Sequence, residues 1–160
     1  MQIATERSDQ VEAIRALHVQ AFEGGAEARL VTQLRNSGDA VISLVAELNG
    51  HVAGHILLSR LKAPVRALAL APLATAPQFR LRGVARALVC DALTRANDCD
   101  EGLVFVLGDP AFYERFGFSR DLAARFPCRY SGAHFMAVAL AAPIAEPCEV
   151  VYADAFAALG

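Results

Sequence analysis

The hexapeptide Arg80-Leu81-Arg82-Gly83-Val84-Ala85 sets a glycine after two arginines where an apolar stretch gives way to helical periodicity. A helix entrance presents N–H groups without intrahelical partners, and the helix dipole favours an anion there. Gly83 allows close backbone approach, and small Ala85 keeps the first turn near a ligand. The chemistry implied is a pyrophosphate cradle, to which the dipole adds about 0.3–1 kcal/mol and the arginines a salt-dependent share. An ordinary strand-to-helix turn with solvated arginines is the alternative reading of the same residues. Neither G-x-G-x-x-G nor G-x-x-x-x-G-K-[ST] is present, so the dinucleotide and P-loop motifs are not indicated.

Such a loop needs a strand before it and a helix after it. The run Ala67 to Thr75 is apolar up to its last residue, with Pro72 inside it; a fully paired central strand would not tolerate that proline, whereas a bulge accommodates it. From Gly83 onward, Val84, Leu88, Val89, Ala92 and Leu93 share one helical face, with Arg86, Asp91, Thr94 and Arg95 opposite.

Upstream, Asp9 with Glu12 reads as a capping box for a helix from about Gln10 to Phe22, broken by Gly24-Gly25. A second helix starts near Ala26, carries Leu30, Val31 and Leu34 as its stripe, and ends at Ser37-Gly38-Asp39. Val41 to Leu48 and Val52 to Ser59 form strands joined by the hairpin turn Asn49-Gly50. Leu103 to Leu107 is a further strand, and Asp109 to Phe116 a short helix capped by Gly117. His134 to Leu140 and, more weakly, Glu149 to Tyr152 complete the strands. The order β-β-β-α-β from Val41 indicates an α/β (α+β) domain with a mixed sheet over residues 1–160.

The bulk composition excludes several classes. At 55% hydrophobic and 20% charged, the chain is not disordered, and its net charge of −2 argues against nucleic-acid or membrane-surface binding. Cys90, Cys99, Cys128 and Cys148 lack metal-ligand spacing and read as reduced thiols, so no metal site is expected. Met1 to Arg7 has no apolar signal core, and no stretch reaches the length of a membrane span, which points to the cytoplasm.

Pro77-Gln78-Phe79-Arg80-Leu81-Arg82-Gly83-Val84-Ala85 resembles the [QR]-x-x-G-x-[GA] signature of the GNAT acetyltransferase superfamily. Leu103-Val104-Phe105-Val106-Leu107-Gly108-Asp109-Pro110-Ala111-Phe112-Tyr113-Glu114-Arg115-Phe116-Gly117-Phe118 is similar to that family's next strand and Y-x-x-x-G-F helix, in a form typical of a bacterial subgroup of predicted N-acetyltransferases. Ala21-Phe22, Glu27 to Val31, Ser43 to Ala46, Gly54 to Ile56 and Tyr152 to Phe156 extend the likeness over nearly the whole chain. Leu81 departs from the glycine common at its place, and Arg80 stands where glutamine is frequent.

The resemblance implies a mixed sheet whose central strands splay around acetyl-CoA, with acetyl transferred by direct attack to a small-molecule or peptide amine. It implies that Arg80 to Ala85 hold the pyrophosphate. Backbone groups of Leu73, Ala74 and Thr75 would meet the pantetheine arm, an N–H near Leu73 would polarise the thioester carbonyl, and Asp109 would lie near the cofactor. Tyr113 matches the tyrosine that protonates the departing thiolate; a core tyrosine beside Phe112 and Phe116 is the other reading.

An alkylamine of pKa about 10.4 is neutral in about one molecule in 2,500 at pH 7, so deprotonation costs about 4.6 kcal/mol and a base is useful. The strand Ala67 to Thr75 has no acidic residue. Glu27, on a helix that roofs the acceptor site in this fold, is the first candidate; a solvated glutamate paired with Arg29 or Arg35 is its alternative. His55 is the second, against the reading of a satisfied packing histidine; Glu47 reads as solvent-facing. Arg60, Lys62 and Arg66 could attract an acidic acceptor or simply be surface cations. A homodimer is compatible with the resemblance, and the competing function is a non-catalytic acyl-CoA-binding sensor or interaction module.

Overall fold

A computed structural model gives the structure over residues 1–140 and 146–159. Six strands lie side by side in sequence order: β1 (Gln2–Thr5), β2 (Ala40–Leu48), β3 (His51–Arg60), β4 (Ala67–Thr75), β5 (Leu103–Leu107) and β6 (Phe135–Ala139). Only β4 and β5 run parallel, because α3 (Val84–Asp98) crosses over between them. The remaining helices are α1 (Val11–Ala21), α2 (Ala26–Ser37) and the short α4 (Pro110–Tyr113) and α5 (Arg120–Ala123).

Alternate residues of the inner strands feed two apolar clusters. Leu44, Ile56, Leu68, Leu70, Val104 and Val106 pack with α3, while Val45, Leu57, Ala67, Ala69, Leu103 and Phe105 pack with α2 and the C-terminal segment. Burial on both faces is why these strands read as continuous apolar runs.

The feature that positions the site is in β4. Ile56 pairs with Leu73 but Leu58 pairs with Leu70, so β4 carries an extra residue at Ala71-Pro72. Pairing with β5 covers Ala67 to Leu70 against Leu103 to Val106. Beyond the bulge the two parallel strands therefore part. The proline sits where ladder pairing has already been interrupted, as expected.

Several local expectations are corrected. The box before α1 is formed by Gln10, whose Oε1 accepts from the Arg7 N–H at 2.8 Å; Asp9 instead pairs with the Arg7 side chain at 3.1 Å. Glu149 to Tyr152 is not a strand but a single bridge from Val151 to Lys62. The first residues, read only for a missing signal core, form edge strand β1 against β2. Asn49 and Gly50 both have positive φ, at 54° and 76°, as the predicted two-residue hairpin requires.

Candidate active site

Two clefts open where β4 and β5 part, and they share Phe22 and Leu73. The larger, about 680 Å³, runs over the entrance of α3 and includes Thr75, Arg80, Gly83, Ala85, Arg86 and Arg115. The smaller, about 330 Å³, lies toward α2 and the C-terminal segment; Glu27 and Tyr113 line it.

The first bond inside α3 runs from the Ala87 N–H to the Gly83 carbonyl at 3.0 Å, so the N–H groups just before it have no carbonyl of that helix to meet. Gly83 caps the helix at φ 77°, and a Cβ there would meet nothing within 4 Å, leaving open space above the loop. Leu81 also holds a positive φ of 63° and its side chain is fully exposed. Two left-handed residues, Leu81 and Gly83, on either side of Arg82 turn the loop back on itself, which is a concave arrangement suited to an anion. Arg80 and Arg86 supply charge at the rim. Arg86 was not anticipated; its place three residues after the signature glycine is the signal that could have found it. Arg82, by contrast, lies outside the cleft lining, with its guanidinium 5.9 Å from the Phe79 ring centroid.

The Ala76 N–H donates to the Ala53 carbonyl at 2.8 Å, so main-chain alternation turns Ala74 toward β3 as well. Leu73 and Thr75 then direct their backbone groups to the side from which β5 has withdrawn. Ala74 contributes only its small side chain to the cleft wall. Asp109 is outside both linings: it is the N-cap of α4, its Oδ1 accepting from the Ala111 N–H at 3.0 Å.

Tyr113 comes from α4 and is held edge-on by Phe112 and Phe118, at centroid separations of 4.9 and 5.6 Å. It is 9% exposed, and burial pushes its phenol up to about 12, so it stays protonated through the physiological range. The ring fits because residue 108 is glycine: a Cβ there would sit 2.6 Å from Tyr113 Cε2.

Glu27 stands in the first turn of α2, where the helix dipole favours its negative charge. Its Oε1 is buried without a hydrogen-bond partner. Arg35 is committed to Glu6 at 2.6 Å, and Glu27 takes part in none of the ion pairs among the described residues. His55 is elsewhere: fully buried, it contacts His18 and Ser43 at 2.8 Å each and lines neither cleft. Arg60 and Arg66 both grip the buried Glu101, at 2.7 and 2.6 Å, and Lys62 pairs with Asp154 at 2.7 Å, so none is turned to the site. Tyr130, Tyr152 and Phe156 complete the small cleft; the sequence pattern did not single them out as site residues.

The family profile described as an acetyltransferase (GNAT) domain matches residues 39–120. The chain belongs to the GNAT acetyltransferase family. The uncharacterized N-acetyltransferase YhbS of Escherichia coli K12 is 36% identical over 136 residues, which covers 82% of this chain and 81% of YhbS. The crystal structure of E. coli YhbS in complex with CoA superposes with a TM-score of 0.90 at 32% identity, covering 99% of this chain and 93% of that one. A Brucella melitensis GNAT acetyltransferase in complex with acetyl-CoA gives a TM-score of 0.83 at 26% identity, with 97% of each chain covered. The mixed six-stranded sheet is thus the GNAT fold, as expected.

Proposed function

We propose that this GNAT protein transfers acetyl from acetyl-CoA to an amine acceptor, with the cofactor in the larger cleft and the acceptor in the smaller. The observation that carries this reading is the junction of the clefts at Phe22 and Leu73, with Tyr113 and Glu27 both on the acceptor side. The CoA and acetyl-CoA complexes of the two structural relatives support acetyl-CoA as the co-substrate, and the anion-suited entrance of α3 supports its place in the larger cleft.

In this reading the N–H groups at the α3 entrance, with Arg80 and Arg86, hold the pyrophosphate. The exposed backbone groups of Leu73 and Thr75 pair with the pantetheine arm, and an N–H near Leu73 polarises the thioester carbonyl. Glu27 takes a proton from the bound ammonium, the freed amine attacks the thioester carbonyl to form the C–N bond as the C–S bond breaks, and Tyr113 donates its phenolic hydrogen bond to the departing sulfur. A protonated phenol suits that second task, being a donor at every working pH. The four free cysteines fit residence in the cytoplasm.

The test is CoA release from acetyl-CoA across a broad amine panel, measured beside acetyl-CoA affinity. Turnover with at least one amine is expected. Tight acetyl-CoA binding with no turnover on any acceptor would instead establish the sensor reading.

A further inference from the structure

Resting on the acetyl-transfer reading above, we infer that the acceptor is a primary amine on a compact apolar or aromatic body, carrying no carboxylate or phosphate. Its ammonium meets Glu27, and its body packs on the aromatic wall of the smaller cleft.

The wall is built by Phe22, Leu30, Tyr130, Tyr152 and Phe156. Tyr152 stands edge-on to both Tyr130 and Phe156, at 4.8 and 5.0 Å between centroids, so the three rings form a fixed surface. Such faces attract a cation electrostatically and bind flat apolar groups by contact area. Glu27 is the one charged side chain among the described residues of the lining. Its buried, unpartnered Oε1 is an acceptor awaiting a donor, and an ammonium supplies up to three.

The nearby cations lie outside this lining, Arg29 of α2 among them, which lines a separate hollow. Arg129 lies over the Tyr130 ring at 5.3 Å and lines a neighbouring hollow instead. Arg60, Arg66 and Lys62 are bound to Glu101 and Asp154. An amino acid entering with its carboxylate would bury that charge beside Glu27 with no counter-ion, which both desolvation and repulsion oppose. A cavity of about 330 Å³ is at the small end of ligand pockets, which favours a compact molecule over an extended peptide. The Tyr152 hydroxyl, on a residue only 8% exposed, is a second polar atom without a partner and leaves room for one hydroxyl on the acceptor.

Binding can be measured apart from turnover, by calorimetric titration into the protein–CoA complex. Phenethylamine is expected to bind at least about 30-fold more tightly than phenylalanine, which differs from it only by a carboxylate. Ethanolamine, lacking the apolar body, should bind at least about tenfold more weakly than phenethylamine. Leu107 lines the cleft at its half-exposed rim, so Leu107→Arg should fold normally and shift selectivity toward phenylalanine by about tenfold or more. Phenylalanine or ethanolamine binding as tightly as phenethylamine, no phenethylamine binding, or no shift in Leu107→Arg each overturns the inference. Failure of the underlying reading is distinguishable: phenethylamine would bind selectively while no amine released CoA from acetyl-CoA.

Discussion

His18 Nε2 lies 2.8 Å from His55 Nδ1, joining α1 to β3 beneath the sheet surface, and His55 Nε2 continues to Ser43 Oγ at 2.8 Å. His18 Nδ1 is buried without a partner. Two imidazoles in this contact share one proton between them, so each is held neutral. Burial, with a smaller contribution from the Arg35 charge, lowers His18 to about 4, and burial together with the His18 charge lowers His55 as well.

This pairing makes stability pH-dependent. Above pH 6.5 both histidines are neutral in folded and unfolded chains, and they add no slope. Between 6.5 and about 4 the unfolded chain binds protons that the folded one refuses, so stability falls as the pH falls. Below about 4 the His18 contribution levels off. The midpoint of thermal unfolding, recorded from pH 7.5 to 4.5, should drop more steeply in the parent than in a His18→Gln/His55→Gln variant. Equal slopes would show that the pair does not titrate in this way.

Tyr113→Phe removes the phenolic donor while keeping the ring that Phe112 and Phe118 hold. A fall in kcat of about 10²–10⁴-fold is expected, with acetyl-CoA affinity changed by no more than a few-fold. Steady-state kinetics and direct titration of acetyl-CoA check the two halves separately. A variant with unaltered kcat would assign Tyr113 to packing.

Gly54 on β3 lies directly against α3. A Cβ there would lie 2.6 Å from Val84 Cγ1, 2.9 Å from Leu88 Cδ1 and 3.0 Å from the Ala74 carbonyl oxygen. Both Val84 and Leu88 are buried, so neither can swing clear. Gly54→Ala should destabilise the fold by about 1–3 kcal/mol in denaturant unfolding. It should also weaken acetyl-CoA binding, because the displaced residue is the first of the helix that would hold the pyrophosphate.

What the sequence disclosed follows from burial and range. β4 and β5 emerge with their bounds intact because most of their residues are covered on both faces and all but Thr75 are apolar. β1 is almost wholly exposed, so nothing apolar announces it. The α3 entrance was legible as a local motif, since its glycine, arginines and small residues are contiguous. The histidine pair was not: its members are 37 residues apart, and only folding brings them together. The same holds for the aromatic wall of the smaller cleft, where Tyr130 precedes β6 in the chain and Tyr152 and Phe156 follow it. The Glu101 hub, which removes Arg60 and Arg66 from any role at the site, joins partners 35 and 41 positions apart.

Gly108 tests whether Tyr113 acts through the placement of its hydroxyl. An added methyl at residue 108 would press on Tyr113 Cε2 at 2.6 Å and Cδ2 at 3.1 Å. The ring has packed neighbours on its other flanks, Phe112 and Phe118, and the open cleft at its tip. It therefore yields toward the cleft, which would carry the hydroxyl off the line to the sulfur that the proposed reaction needs. A displacement of this size should cost about tenfold or more in kcat, since misplacement by about 1 Å is worth up to about 10²-fold. In the Tyr113→Phe background there is no hydroxyl left to misplace, so adding Gly108→Ala should reduce kcat little further, although the ring is displaced equally. The four proteins form a double-mutant cycle in kcat, with unfolding free energies measured alongside to subtract the packing cost. Strongly non-additive losses in kcat, beside additive losses in stability, identify Gly108 as a positioning residue for the Tyr113 hydroxyl. Additive losses in kcat would assign its effect to the fold instead.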